Sequence, residues 1–130
     1  MKKILFVCIE NSNRSQIAEA FANIYANEKI LAYSAGSKPS GKINPRAIAS
    51  MNEIGYDLSA HHSKSLDEIP QTMYDAVITM GCGDACPWVP AVRREDWDIP
   101  DPRDMNEIEF TIVRDLIRSK VFKLLDELQS

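Results

Sequence analysis

Cys8 and Arg14 stand six residues apart between a hydrophobic run and an amphipathic stretch, and this spacing suits nucleophilic chemistry on an oxyanion. The local sequence is Lys3-Ile4-Leu5-Phe6-Val7-Cys8-Ile9-Glu10-Asn11-Ser12-Asn13-Arg14-Ser15-Gln16. A loop that closes a strand and opens a helix points successive backbone N–H groups inward. Ile9, Glu10, Asn11, Ser12, Asn13, Arg14 and Ser15 are therefore the expected cradle for a tetrahedral, phosphate-shaped ligand. Cys8 lies at its floor, where a helix N-terminus favours the nucleophilic thiolate. Arg14 offers a planar fork to two ligand oxygens. Asn11 can hold the loop through side-chain bonds to backbone, and Ser15 can donate to the Cys8 sulfur. Glu10 is the discordant member, because a carboxylate repels an anion, so its side chain is expected to point outward.

The elements that must position these groups alternate strand-like and helix-like, which argues an α/β domain with a parallel sheet. The expected strands are Lys3–Val7, Ile30–Ser34, Ala76–Met80 and Arg93–Trp97. A first helix is expected from about Arg14 to Ala26, with Ile17, Phe21 and Ile24 facing the sheet. A second should begin at Asn44-Pro45, a cap followed by proline at the first helical position, and stop at Gly55. Its buried stripe would be Ala47, Met51 and Ile54. The last helix should start near Asn106 or Glu107 and bury Val113, Ile117, Val121, Leu124 and Leu128. Parallel α/β sheets bind ligands beyond the carboxyl ends of their strands. Cys8 follows the first strand and Cys82 the third, so both thiols are expected on the same edge.

The 130 residues suit a single domain, residues 1–130, and 45% apolar with 26% charged residues is ordinary for a globular chain. No stretch approaches the ~20 apolar residues of a membrane span. Met1–Val7 is too short for a secretory signal, so a cytoplasmic location, with no membrane partner, is expected. A net charge of −4 with no basic stripe argues against a nucleic-acid partner. Three cysteines in a reducing compartment favour reactive over permanent structural roles. Zinc fits poorly: Cys82 and Cys86 lack a second ligand pair, and His61-His62 are adjacent rather than ligand-spaced. No metal and no cofactor is expected.

With these residues in view, the Cys8, Asn11, Arg14 and Ser15 loop resembles that of the low-molecular-weight protein tyrosine phosphatase superfamily. Ser34-Ala35-Gly36 after the second strand and the late Asp101-Pro102 resemble two further marks of that family, in the same order. The resemblance spans essentially the whole chain and implies a four-stranded parallel sheet flanked by helices on both faces. It also implies that Asp101 supplies the general acid. Within the superfamily, Thr79-Met80-Gly81-Cys82-Gly83-Asp84-Ala85-Cys86-Pro87 followed by Glu95-Asp96-Trp97 is similar to the thioredoxin-coupled arsenate reductases. Arg103-Asp104 follow Asp101-Pro102 where phosphatases tend to carry aromatic residues.

The resemblance implies a relay. Cys8 attacks arsenate held on the loop and Arg14, and Asp101 protonates the departing oxygen. Cys82 then attacks the Cys8 sulfur, releasing arsenite, and Cys86 attacks Cys82 and hands the disulfide to thioredoxin. A Cys8–Cys82 bond needs Cα atoms within about 6.8 Å, so the loop after the third strand must move inward. Helical neighbours four apart hold their Cβ atoms ~5–6 Å apart, against ~3.5–4.5 Å in a disulfide, so Cys82–Cys86 oxidation should rearrange Gly81 to Pro87, with Gly81 and Gly83 supplying freedom.

Two departures from the family pattern stand out. Asn13 replaces a second loop cysteine found in many relatives. Lys64 stands where some relatives place an acidic residue that helps bind a monovalent cation, and its ammonium is expected to take the ion's place near Asn11, Glu19 and Ser34. Three other readings stay open from sequence: a phosphomonoester hydrolase with Cys82 and Cys86 incidental, a reductase served by a low-molecular-weight thiol, and a non-catalytic oxyanion or redox sensor. The chain is expected to act as a monomer.

Overall fold

The computed structural model describes residues 1–82, 86 and 88–129. Gly83, Asp84, Ala85 and Pro87 of the cysteine segment lie outside the described residues. The chain folds as β1 (Lys2–Cys8), α1 (Arg14–Tyr25), β2 (Ile30–Gly36), α2 (Pro45–Asn52), β3 (Tyr74–Met80), β4 (Ala91–Trp97) and α3 (Glu107–Gln129). Two single-turn 3₁₀ helices, Leu58–Ala60 and Leu66–Glu68, sit between α2 and β3.

The four strands are parallel in the order β2-β1-β3-β4. β1 is central and buried on both faces, which explains its unbroken apolar run. Ile4, Phe6 and Cys8 enter a large core shared with all three α-helices, whereas Leu5 and Val7 enter a smaller one. That second face is closed by Ile69, by Leu66 of a 3₁₀ helix, and by Cys86 and Val89. β4 is one of the two edge strands, and its charged residues alternate between half-buried and exposed, a pattern that discourages pairing with another chain.

Helix ends follow local chemistry. Asn44 Oδ1 accepts the Arg46 N–H at 2.9 Å with Pro45 opening α2. Asn106 and Glu109 cap α3 reciprocally, Asn106 Oδ1 accepting the Glu109 N–H at 2.8 Å and Glu109 Oε1 accepting the Asn106 N–H at 3.2 Å.

Two expected core residues lie at the surface instead. Ile24 is 42% exposed, because the buried stripe of α1 continues from Ile17 and Phe21 to Tyr25, whose ring stacks on Phe21. Ile54 is 39% exposed, because α2 ends at Asn52 and Ile54 lies in the closing turn. There Tyr56 N–H donates to Met51 O and Gly55 N–H to Asn52 O, with Gly55 at φ +84°, a Schellman closure.

Strand order reverses direction at β1, so the crevice at the carboxyl ends of β1 and β3 is the topological switch point where such sheets bind ligands. Val7 lies opposite Thr79, which sets Cys8 at the end of β1 beside the Met80-Gly81-Cys82 end of β3.

Candidate active site

Residues 9–13 form a loop whose carbonyls are all turned outward. Lys38 N–H donates to Ile9 O, Ser40 N–H and Ser63 Oγ to Glu10 O, Gln16 Nε2 to Asn11 O, Asn44 N–H to Ser12 O and Ile17 N–H to Asn13 O. Because C=O and the following N–H point oppositely across a peptide, the N–H groups from Glu10 to Arg14 are left facing the concave side. Asn11 makes the bend with a left-handed φ of +52°, a conformation asparagine tolerates better than most residues. Gly36, at the end of β2, supports the loop from behind: a Cβ there would meet Ile9 O at 2.6 Å and Asn11 N at 3.0 Å. This contact accounts for the glycine of Ser34-Ala35-Gly36.

Cys8 is the free cysteine, buried at the floor of the loop. Its Sγ lies 2.8 Å from Ser15 Oγ, which accepts from Asn11 Nδ2 at 2.8 Å and so keeps its own proton for the sulfur. Arg14 is buried; Nη1 donates to Ile99 O at 3.0 Å and Nη2 lies 4.0 Å from Asp101 Oδ2. Gly81 leaves room for this guanidinium, since a Cβ there would meet Nη1 at 2.2 Å. Cys8, Ile9, Glu10, Ser12, Asn13, Arg14, Asp101 and Arg103 line one pocket of about 120 Å³. Thus the structure brings Cys8, Arg14 and Asp101 together around one pocket. The arrangement offers a sulfur nucleophile, an array of amide donors, a fixed cation and a carboxyl group.

Cys82 and Cys86 are joined by a disulfide, their Cα atoms 5.5 Å apart. Neither lies in a helix or a strand. Cys82 is buried and Cys86 half-buried, so the second sulfur position is the more accessible of the two. Neither lines the pocket as it stands.

Behind the loop, hydrogen bonds extend from the nucleophile into the 56–64 segment. Asn11 Oδ1 accepts from Gln16 Nε2 at 2.7 Å and from the Lys64 N–H at 3.0 Å. Gln16 Oε1 lies 3.0 Å from His61 Nδ1, and His61 Nε2 lies 2.5 Å from the Tyr56 hydroxyl. Burial lowers the His61 pKa, opposed by the Glu19 carboxylate 3.2 Å away and reinforced by the Lys64 charge. A neutral ring with its proton on Nδ1 donates toward Gln16 and accepts from Tyr56, consistent with every neighbouring donor. The Lys64 ammonium sits 3.8 Å from Glu19 Oε1. Among the described residues, no group of three or more His, Cys, Asp or Glu is arranged to hold a metal.

Several contributors escaped the sequence reading. Gln16 reaches back five residues to Asn11, whereas His61 and Tyr56 join it only through a tertiary contact, and no spacing along the chain links position 16 to positions 56 and 61. Ile99 acts through its carbonyl, which no side-chain pattern advertises. Gly81 was expected to free the cysteine segment, and its φ of +73° fits that role, yet its closest consequence is space for Arg14. Among the described residues, no helix is long and apolar enough to cross a membrane.

Comparison with known proteins agrees with this geometry. A glutaredoxin arsenate reductase from Synechocystis is 39% identical over 128 residues, spanning 96% of this chain and 97% of that protein. A solved structure of an arsenate reductase in the phosphate-binding state superposes with a TM-score of 0.88 at 38% identity, covering 98% of each chain. A thioredoxin-dependent arsenate reductase from Corynebacterium glutamicum gives a TM-score of 0.80 at 32% identity, covering 99% of this chain and 62% of that one. Residues 3–130 match the low molecular weight phosphotyrosine protein phosphatase family, and the chain belongs to that family.

Proposed function

We propose that this protein reduces arsenate to arsenite through a relay of its own three cysteines, with thioredoxin as electron donor. The observation that carries the reading is the Cys82–Cys86 disulfide at the carboxyl end of β3, beside the strand that ends in Cys8. A hydrolase needs one thiol and leaves that pair without a task.

In this scheme arsenate sits on the loop amides and takes the place of Asp101 as partner of Arg14. The Cys8 thiolate forms a sulfur–arsenic bond while Asp101 gives a proton to the oxygen that leaves as water. Cys82 attacks Cys8 Sγ; the sulfur–arsenic bond breaks with its electron pair going to arsenic, which departs as arsenite. Cys86 then attacks Cys82 Sγ and frees the Cys8 thiolate. The Cys82–Cys86 disulfide passes two electrons' worth of oxidation to a donor dithiol, and the half-buried Cys86 is the sulfur that such a dithiol reaches first. The chemistry requires neither cofactor nor metal, and a single chain supplies every group.

The test is arsenate-dependent NADPH consumption with thioredoxin and its reductase, comparing the parent with Cys8→Ser, Cys82→Ser and Cys86→Ser. Turnover in the parent and its loss in each variant supports the relay; survival of Cys86→Ser removes Cys86 from it. A second reading keeps the reductase but takes electrons from glutaredoxin and glutathione, in keeping with the name of the Synechocystis relative. That reading predicts turnover of Cys86→Ser with glutathione and glutaredoxin and none of the parent with thioredoxin.

A further inference from the structure

The oxyanion loop of this chain contains a carboxylate, and the structure shows what answers it. Glu10 lines the pocket together with Asp101, so two carboxyl groups flank the mouth through which an anion enters. Arg103 stands between them. Its Nη1 lies 3.8 Å from Glu10 Oε1 and its Nη2 lies 3.8 Å from Asp101 Oδ2. The same residue's backbone N–H donates to Asp101 Oδ1 at 3.1 Å, so both oxygens of Asp101 face Arg103. The bridge thus joins the start of the oxyanion loop to the acid segment after β4, which are 93 residues apart in sequence (103 − 10).

We infer that Arg103 is a positioning residue for oxyanion binding: it neutralises Glu10 at the pocket mouth and ties it to Asp101, so that an acidic side chain inside an anion-binding loop does not repel the substrate. Without Arg103, a dianion approaching Arg14 would pass a bare Glu10 carboxylate, and like charges a few ångströms apart near a protein surface oppose one another appreciably. With it, the mouth presents a cation shared by two carboxylates. All three side chains are 43–58% exposed, so water and salt weaken the bridge, and its effect belongs to capture of the anion rather than to fold stability. Arg103 is the partner that the Glu10 carboxylate meets at the edge of the pocket.

This inference rests on the oxyanion reading of the pocket, and a double-variant cycle tests it with inorganic phosphate as probe, titrated by calorimetry, beside arsenate kinetics. Arg103→Ala should weaken phosphate binding and raise the arsenate KM by about three- to tenfold at low salt, with kcat moving by no more than about twofold. Arg103→Lys should restore most of the loss. In a Glu10→Gln background, Arg103→Ala should cost less than about twofold, because the charge it neutralises is gone. An equal cost in both backgrounds would show Arg103 acting on the anion directly and would overturn the inference, as would no effect in either. If the parent binds phosphate but reduces no arsenate, the reductase reading fails while the phosphate arm still decides the role of Arg103.

Discussion

Replacing Gly81 with alanine should disable the site while leaving the fold largely in place. The residue has φ +73°, and a Cβ built on it would lie 2.2 Å from Arg14 Nη1 and 3.3 Å from Arg14 Cζ. Two costs separate cleanly. A left-handed φ costs a non-glycine residue roughly 1–2 kcal/mol, which is about 3–8 °C in Tm for a domain of this size. The collision is resolved by moving the guanidinium, the far end of a flexible side chain, off its 3.0 Å bond to Ile99 O. Displacing such a clamp by ~1 Å costs on the order of a hundredfold in rate, and losing one charge-assisted hydrogen bond about 1.5–3 kcal/mol. The kcat/KM for arsenate should therefore fall roughly a hundredfold, with a parallel loss of phosphate affinity by calorimetry. Gly55→Ala is the control, because Gly55 has φ +84° with nothing within 4 Å of its would-be Cβ. It should lower Tm by a similar amount and spare activity. Should Gly81→Ala retain kcat/KM within about threefold of Gly55→Ala, the link between Gly81 and Arg14 is wrong.

Further expectations follow from the same contacts. Gly36→Ala places a Cβ against the backbone of Ile9 and Asn11, neither of which is a flexible end, so it should abolish phosphate binding by calorimetry and lower Tm more than Gly55→Ala does. Ser15→Ala removes the hydroxyl 2.8 Å from Cys8 Sγ; loss of that hydrogen bond, about 0.5–1.5 kcal/mol, should slow alkylation of Cys8 by iodoacetamide by roughly two- to tenfold. Burial holds the His61 pKa below 6.5, so the unfolded chain binds more protons than the native one between that lowered value and 6.5. Native stability should therefore fall as pH drops through this window, and His61→Gln should flatten that fall in urea titrations; an unchanged pH slope would remove His61 as its source. With the Lys64 ammonium beside Glu19, exchanging potassium for sodium should leave turnover unaltered, and a strong potassium requirement would contradict that placement.

The elements were legible where a single local signal sufficed. The apolar run of β1, the Asn44-Pro45 start of α2 and the Asn106 cap of α3 each follow from a few adjacent residues, and each lies where the sequence reading placed it. The loop from Cys8 to Ser15 was equally plain, because its chemistry is packed into consecutive positions. Ile24 and Ile54 were misplaced for one reason: helical spacing names a face, while the neighbour across that face decides where the stripe ends. Phe21 continues to Tyr25 because the aromatic rings stack, and α2 stops early because Gly55 turns the chain.

Chemical identity along the chain therefore singled out the candidates, Cys8, Arg14, Asp101 and the Cys82 and Cys86 pair, since each is a side chain with a recognisable task. Tertiary structure alone decided what holds them: the carbonyl of Ile99 and the bare face of Gly81 around Arg14, the Gln16–His61–Tyr56 contacts behind Asn11, and the Arg103 bridge that reconciles Glu10 with an anion. Those partners act through backbone atoms, through the absence of a side chain, or across dozens of residues. Such interactions depend on distance in space, which sequence spacing does not encode.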